Sequence, residues 1–381
     1  MKKNTALWMI IYLLIGSALP AQTLSGVLDT KISLGAGAGV MPDFFYGAEE
    51  YANLRLKIPV GEYADIYGAF NLIAAAGSSA ELVRAASANA VIGGENYAAA
   101  MELERLYVQL STDALGLSVG LLRIPFGYSL AWTPMDFLNP HNLLEPDARL
   151  RGVLGITASW FFENHGDMKF LVFAAAPRDP IAVSGGGTRV GLSWDGHWRR
   201  ASVQLLYCFE NPYDNYPQGL HRMGLSLKAE LGLTAEFLYT LNPASPAGIN
   251  GFAASFGADY SFFDGKLYLL AEYLYSGDKS AAAQSAAQPL GHTGSHYLYA
   301  LGSWKWSDFS GLSLGCAANL EDLSCTSLVA WEYEFVQGMV LYLRAQVPLD
   351  RRSFNAGNPG ELGPLAGGYY ALFRAGLKIR F

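Results

Sequence analysis

The sequence predicts an all-β fold: a transmembrane antiparallel up-and-down β-barrel of about 18 strands, or 16 if one weak strand is a loop. Three observations lead to this prediction. Much of the chain alternates apolar and polar residues with a period of two, the repeat of a strand with one apolar face. The mean hydropathy is positive, yet no segment after the first twenty residues is long and apolar enough for a transmembrane helix. Short and long connections alternate along the chain, as they do in membrane barrels.

The amino terminus is predicted to be a secretory signal peptide. Lys2 and Lys3 supply positive charge, the apolar run Ala6–Leu19 follows, and small residues close the segment. The apolar run is short for a transmembrane helix, and a lipoprotein anchor is not expected because no cysteine follows it. Residues 1–21 are therefore expected to be removed, which leaves 22–381 as the barrel.

Eighteen segments alternate apolar and polar residues, as strands with one apolar face do. The weakest is 100–110, because Glu102 and Glu104 share one face while Arg105 would meet lipid. The predicted strands are 24–39, 50–60, 65–77, 100–110, 115–124, 152–163, 167–177, 187–195, 198–209, 220–231, 233–242, 251–262, 266–277, 294–306, 311–319, 324–335, 338–347 and 368–381.

The connections between these strands alternate between short turns, expected in the periplasm, and long outer loops. The connection near 320–323 is short where a long one is due. If both termini are periplasmic, the strand number must be even. The short turns are predicted at 61–64, 111–114, 164–166, 196–197, Gly232, 263–265, 307–310 and 336–337, and the longer loops include 78–99, 125–151, 178–186, 210–219, 278–293 and 348–367.

The last strand has apolar residues at alternate positions and ends the chain on Phe381. Arg374, Lys378 and Arg380 lie on its other face. It resembles the closing strand of bacterial outer-membrane β-barrels, which ends in Phe and is recognised by the barrel-assembly machinery. The alternative is an edge strand of a soluble sandwich. The resemblance implies a bacterial outer-membrane location, with apolar faces toward lipid and polar faces toward the lumen.

A second resemblance comes from the segment after the strand at 115–124. Residues 120–127 read Gly-x-x-Arg-x-Pro-x-Gly, and residues 132–140 read Trp-x-Pro-x-Asp-x-x-Asn-Pro. This is similar to a motif in porin-like outer-membrane β-barrels of Gram-negative and spirochaetal bacteria, although Thr133 stands where Asn is common. The resemblance implies that the loop lies at or inside the barrel mouth.

Loop 125–151 is rich in proline, which restricts its backbone, and in apolar side chains such as Trp132 and Phe137. A loop of this length and content is expected to fold against other parts of the protein. Inside the lumen it would be a constriction; across the mouth it would be a lid that does not touch solute. The pore and constriction candidates are Arg123, Asp136, Asn139, His141, Arg149 and Arg151.

An 18-stranded barrel is wide enough to hold water, so its lumen needs a polar lining. Opposed basic and acidic walls would create a transverse field across the pore, whereas cross-strand salt bridges would only stiffen the wall. The lumen-lining candidates are Arg55, Lys57, Arg222, Lys228, Glu230, Glu236, Glu272, Glu332, Glu334, Arg344, Arg374 and Lys378.

Two further predictions concern loops and cysteines. Loop 78–99 is expected to be a flexible or short helical outer loop, and 279–293 an exposed low-complexity loop. Cys316 and Cys325 are predicted to face outward, opposite each other across a turn, either as a bonded pair or as two separate lipid-facing residues. Cys208 is left without a partner.

Composition excludes several functions. Without the signal peptide the 26 basic residues fall to 24, against 33 acidic ones, which argues against nucleic acid as a partner. Gly-x-Ser-x-Gly, His-Glu-x-x-His and phosphate-loop motifs are absent from the sequence, so no enzymatic activity is predicted. No cysteine or histidine spacing predicts a metal site, and no cofactor is expected.

The function predicted from these observations is a porin-like outer-membrane channel for passive diffusion of small hydrophilic solutes. Two alternatives stay open: a transporter for hydrophobic compounds such as fatty acids, and a surface adhesin or antigen that uses the barrel as a mount. The expected partners are outer-membrane lipid, the solutes and the barrel-assembly machinery. Porins are often trimers, so a homotrimer is compatible with the resemblance, but composition does not separate a trimer interface from a lipid face.

Overall fold

The computed structural model describes residues 23–37, 44–86, 92–138, 152–162, 166–174, 188–212, 219–243, 251–277, 294–349, 362 and 369–381. The predicted signal peptide and the low-complexity loop lie outside the described residues. None of the described helices is long and apolar enough to cross a membrane.

The described residues form nineteen strands and one helix. In chain order these are β1 (Thr23–Gly37), β2 (Phe44–Val60), β3 (Ala64–Gly77), α1 (Ser78–Ala86), β4 (Ile92–Gly94), β5 (Tyr97–Ser111), β6 (Leu115–Leu122), β7 (Val153–Phe162), β8 (Gly166–Ala174), β9 (Thr188–Trp198), β10 (Ala201–Glu210), β11 (Leu220–Ala229), β12 (Leu233–Leu241), β13 (Phe252–Phe262), β14 (Leu267–Ser276), β15 (His296–Ser307), β16 (Ser310–Asn319), β17 (Cys325–Val336), β18 (Met339–Pro348) and β19 (Tyr369–Arg380).

Eighteen of the strands form a closed antiparallel barrel. Each pairs with its neighbours in sequence, β3 pairs with β5, and β1 pairs with both β2 and β19, which closes the ring. The short β4 pairs with β5 alone and stands outside the ring. The predicted fold class and the count of 18 are confirmed. The main differences are that β2 begins earlier, at Phe44, and that β9 continues to Trp198, so its turn lies at 199–200.

The two faces of the barrel wall differ in polarity. Glu236 and Glu272 are 0% and 1% exposed. Because the wall is a single layer, a side chain can be buried only on its inner side, so both residues point inward. At alternate positions, large apolar side chains such as Leu343 and Phe373 are about half exposed on the outer surface. The polar face therefore points inward and the apolar face outward, the arrangement of a membrane barrel and the reverse of a soluble one.

A β-bulge corrects the prediction for the weakest strand. Ala69 of β3 pairs with Arg105 and Phe70 pairs with Leu103, so Glu104 is an extra residue in β5. The extra residue shifts the alternation by one position. Arg105 consequently faces the lumen, where its guanidinium binds the Glu104 carboxylate (Nη2–Oε1 2.9 Å), and the expectation that it would meet lipid is wrong.

Helix α1 lies inside the barrel. Its Ala80 and Val83 are buried against inward-facing residues of β3 and β5, including Ile73, Ala75 and Ala98. These small side chains leave room for a helix between the wall and the lumen. Of the two alternatives for loop 78–99, the structure has the short helix, which folds into the mouth of the barrel.

None of the three cysteines forms a disulfide. Cys316 lies opposite Ser327 and Cys325 lies opposite Ala318, so the two cysteines are diagonal neighbours and not directly opposed as predicted. Diagonal positions in an antiparallel pair are about 7–8 Å apart, which is beyond the usual reach of a disulfide. Of the two alternatives, the structure therefore agrees with two separate cysteines and not with a bonded pair.

Candidate constriction inside the barrel

Residues 123–138, here called the strap, follow β6 and lie along the inner wall of the barrel. The strap is described up to Leu138; Asn139, His141, Arg149 and Arg151 lie outside the described residues. Its backbone amides donate hydrogen bonds to side chains that point inward from successive strands.

The first contacts of the strap are with β10 and β11. The amide of Gly127 donates to Gln204 Oε1 (2.6 Å), and the amide of Tyr128 donates to Ser226 Oγ (3.1 Å). Burial and the Asp195 carboxylate raise the pKa of the Tyr128 hydroxyl to about 12. The first turn of the strap is therefore fixed by polar groups of three adjacent strands, β9 to β11.

The next contacts are with β12 and β13. The Ser129 amide donates to Glu236 Oε1 (2.6 Å), and its hydroxyl is 2.9 Å from the hydroxyl of Ser255. Both wall residues are fully buried. The strap is therefore fixed to β12 and β13 by hydrogen bonds to two buried side chains.

The strap is then held by one carboxylate on β14. Glu272 accepts from three consecutive amides: Leu130 to Oε1 at 2.6 Å, and Ala131 and Trp132 to Oε2 at 2.8 Å each. The Trp132 ring continues to β15, where its centroid is 5.7 Å from that of Tyr297. The strap thus advances by about one strand for each one or two residues, from β10 to β15.

Gly127 permits this path. Its φ is +89°, in the region that L-residues rarely adopt, and a Cβ at this position would overlap the Glu236 carboxylate. Pro125 and Pro134 lack an amide hydrogen and fix their own φ, so they demand no acceptor from the wall. Glycine and proline therefore shape the strap, and the intervening amides fasten it.

Apolar contacts complete the packing of the strap. Phe126, Met135 and Leu138 bury themselves against inward-facing side chains of β8, β10 and β12 such as Phe173 and Leu206. These wall residues would otherwise place apolar surface in a water-filled lumen. At the other end, Ala131 and Trp132 are buried with residues of β14, β15 and β16.

A third segment enters the same cluster. Leu362, from the connection between β18 and β19, is 1% exposed among Trp132, Tyr297 and their neighbours. Its amide donates to Ser324 Oγ (3.1 Å), and its carbonyl accepts from the Thr326 hydroxyl. Among the described residues, α1, the strap and Leu362 therefore all contribute to the interior.

Two of the predicted constriction residues are described. Asp136 is 7% exposed, in a turn closed by its amide and the Thr133 carbonyl (3.0 Å). Arg123 is half-buried at the start of the strap. Burial lowers its pKa, the neighbouring Arg105 guanidinium lowers it further, and the Asp136 and Glu104 carboxylates act in the opposite direction. Arg123 therefore lies near the inner wall of β5.

The predicted lumen residues divide into three groups. Glu236 and Glu272 point inward but are covered by the strap, so they hold the strap and do not line open space. Glu230 lies in the turn after β11, where it pairs with Arg200 (3.5 Å). The others lie on inward faces of their strands: Arg55, Lys57, Arg222, Lys228, Glu332, Glu334, Arg344, Arg374 and Lys378.

Several of these inward charges are paired across strands. Lys57 binds Asp65 (3.2 Å), Arg344 binds Glu332 (3.1 Å), and Arg222 binds Glu210. The acidic residues of β12 and β14 are hidden from the lumen. Glu236 and Glu272 therefore do not form an acidic wall that would create a transverse field across the pore.

Sequence reasoning missed the neutral residues that fasten the strap. Gln204, Ser226 and Ser255 occupy inward positions on β10, β11 and β13, and each is a polar residue in a segment that alternates polar and apolar residues. The available signal was a row of short or uncharged polar side chains at one level of adjacent strands. Their role in holding the strap could not be predicted without knowing which loop crosses these strands.

These features define a porin-like β-barrel: a closed antiparallel wall, apolar outside and polar inside, with loop residues folded into the lumen. No family model and no curated protein matches the chain. Acinetobacter baumannii OccAB4 is similar in structure, with a TM-score of 0.54 and 10% identity over 94% of this chain and 98% of that chain. A triple mutant of the Rhodopseudomonas blastica porin has a TM-score of 0.48 and 10% identity over 95% and 100%.

Proposed function

We propose that this protein is a porin-like channel of the bacterial outer membrane, through which small hydrophilic solutes diffuse passively. The observation that carries the proposal is the strap, fastened across the inner wall of β10 to β14 by hydrogen bonds from six consecutive residues, 127–132. A barrel used only as a mount for surface loops has no need of such a segment.

The strap supports a constriction for a geometric reason. An 18-stranded barrel is wide enough to contain water. A segment fixed to one wall narrows that space without closing it, and solutes are then selected by pore width and by the charges around the narrow part. Arg123 and Asp136 are the described strap charges that would act on a solute.

The setting of the channel is proposed from the two chain ends and the outer surface. Residues 1–21 would direct export, and the strand ending in Phe381 would be recognised by the barrel-assembly machinery. The outward apolar side chains would contact outer-membrane lipid. A homotrimer is compatible with this arrangement.

The experiment is single-channel recording of refolded, leaderless protein in planar bilayers. Wild type is compared with a variant lacking 128–148 and with a control lacking 279–293, a predicted outer loop. We expect stable ohmic steps in all three and larger or less selective steps only in the first variant. If that deletion leaves the conductance steps unchanged, the channel function is supported but the proposal that this loop constricts it is refuted.

Absence of conductance would overturn the proposal, provided that heat-modifiable gel mobility shows a folded barrel. The adhesin alternative would then be the better explanation. The fatty-acid alternative predicts binding of detergent or lipid-like ligand instead. The inward apolar residues of β8, β10 and β12 do not favour it, because the strap already covers them.

A further inference from the structure

The inserted segments leave one stretch of the β2–β3–β5 inner wall without a described cover. The strap lies on β8 to β15, and α1 covers β2, β3 and β5 near the end with the long loops. The uncovered stretch lies nearer the short turns and is here called the basic patch. Its members are Arg55, Lys57, Tyr67, Arg105 and Tyr107, with Arg123 beside them.

Strand pairing places the basic patch in two rows. In the first row Arg55 of β2 lies opposite Ala69 of β3, which lies opposite Arg105 of β5. The small side chain of Ala69 leaves space between the two guanidinium groups. Leu121 of β6 pairs with Leu106 of β5, so Arg123, one residue beyond the end of β6, begins the strap next to Arg105.

The second row lies one inward position nearer the short turns. Lys57, Tyr67 and Tyr107 are consecutive partners across β2, β3 and β5. The two tyrosine rings are stacked with centroids 4.9 Å apart, and the Lys57 Nζ is 5.2 Å from the Tyr67 centroid. The Lys57 ammonium and the Tyr67 hydroxyl both bind the Asp65 carboxylate (3.2 and 3.3 Å), which closes this row on the side of the short turns.

Arg55 and Lys57 are the exposed cations of the basic patch, and Asp65, which binds Lys57, is half-buried. Arg55 is exposed, and its Nε donates to a neutral acceptor, Asn53 Oδ1 (2.6 Å). Arg123 Nε is buried and has no acceptor among the described residues. By contrast, Glu104 and Asp136 are 6% and 7% exposed. A solute that reaches this wall therefore meets Arg55 and Lys57, with Glu104 and Asp136 beneath them and Asp65 beside Lys57.

We propose that the basic patch is an oxyanion-binding site, built on Arg55 with Arg123 and Lys57, and that the channel favours small solutes carrying carboxylate or phosphate groups. This proposal rests on the proposed channel function. A guanidinium presents a planar fork of donors that matches the two oxygens of a carboxylate or phosphate, whereas an ammonium group acts as a point charge. The site should therefore distinguish oxyanions from chloride.

The test measures two quantities in the bilayer system. The first is the permeability ratio of chloride to potassium, from reversal potentials in a potassium chloride gradient. The second is the concentration of inorganic phosphate, and separately of acetate, that halves the chloride current. The variants are Arg55→Gln, Arg55→Lys and the double variant Arg55→Gln/Arg123→Gln. Arg200→Gln, in the turn between β9 and β10, is the control for a change in overall charge.

We expect wild type to favour chloride over potassium. The double variant should lower the permeability ratio of chloride to potassium by roughly threefold. Removing two positive charges weakens the attraction of chloride to this wall, and screening by salt limits the effect. Arg55→Lys should keep the ratio but raise the half-blocking concentrations by roughly tenfold, because the fork is lost. Arg200→Gln should change neither quantity.

Each contrary outcome has one meaning. A wild-type ratio at or below one, or a ratio unchanged in the double variant, overturns the oxyanion site and leaves the channel intact. Block by phosphate and acetate that is the same in Arg55→Lys as in wild type also overturns it, because charge alone would then explain the preference. No conductance from folded protein removes the channel and this proposal together. If the double variant does not fold, Arg55→Gln, at an exposed position, decides the question.

Discussion

Replacing Glu272 by Gln should loosen the strap at its most heavily bonded point. The Glu272 carboxylate accepts from the amides of Leu130, Ala131 and Trp132, and the second and third share Oε2. A glutamine keeps one acceptor oxygen and places an NH₂ group where the other stood. With Oε1 toward Leu130, the remaining two amides would face a donor. Leaving a buried donor unsatisfied costs about 1–3 kcal/mol, so the strap would lose roughly 2–6 kcal/mol of attachment.

Limited chymotrypsin digestion of the folded protein in detergent measures this loss. Cleavage after Tyr128, Leu130 or Trp132 requires the strap to leave the wall. A loss of 2 kcal/mol raises the detached population by roughly thirtyfold, and cleavage follows that population when reattachment is fast. We expect the same increase in Glu272→Gln, with excursions to higher conductance in single-channel records.

Glu332→Gln is the matched control. Glu332 also faces the lumen, but it pairs with Arg344 and does not contact the described strap. Its cleavage rate should equal that of wild type. Cleavage of Glu272→Gln at the wild-type rate, together with unchanged current noise, would refute the claim that this carboxylate holds the strap.

Three further predictions concern other parts of the barrel. Gly127→Ala should displace the strap, because its φ is positive and a Cβ would overlap Glu236; cleavage should again increase, whereas an unchanged rate would contradict the described path. Tyr342→Phe removes the hydroxyl that donates to buried Asp29 (2.7 Å) and should lower the free energy of unfolding by about 1–3 kcal/mol in urea titrations in lipid vesicles. Leu343→Arg, on the outer face, should lower the free energy of unfolding by about 2–4 kcal/mol if that face meets the centre of the bilayer. An unchanged free energy of unfolding would show that Leu343 does not face the centre of the bilayer.

Most of the barrel could be predicted because strand alternation is a local property. A side chain every second residue faces the same way, so the polar and apolar faces of β11, β12 and β18 are visible without knowledge of the partner strands. The strand count followed from the same rule. Alternation did not show which face of the strands points outward, since it is identical in soluble and membrane barrels. The resemblance of the last strand was needed to decide this.

The errors occurred where one residue or one loop breaks this local rule. The bulge at Glu104 reverses the alternation of β5, and pairing with β3 reveals it where sequence does not. A short helix was one of the alternatives for loop 78–99, but its packing on the inner wall was not predicted, because a helix sequence alone does not show which side of the wall it contacts. Glu236 and Glu272 were correctly placed on inward faces, but their burial depends on a strap that is distant in sequence.

That distance has a consequence for assembly. The strap lies early in the chain, and its acceptors come 77 residues later at Gln204 and 142 residues later at Glu272. Side chains on β10 to β14 line up with consecutive strap amides only when four neighbouring strand pairs are in their correct alignment. A slip of one residue in any pair would turn an acceptor toward lipid. Insertion of the strap must therefore follow the pairing of these strands, and a barrel with a misaligned strand would leave this segment unattached and open to proteolysis.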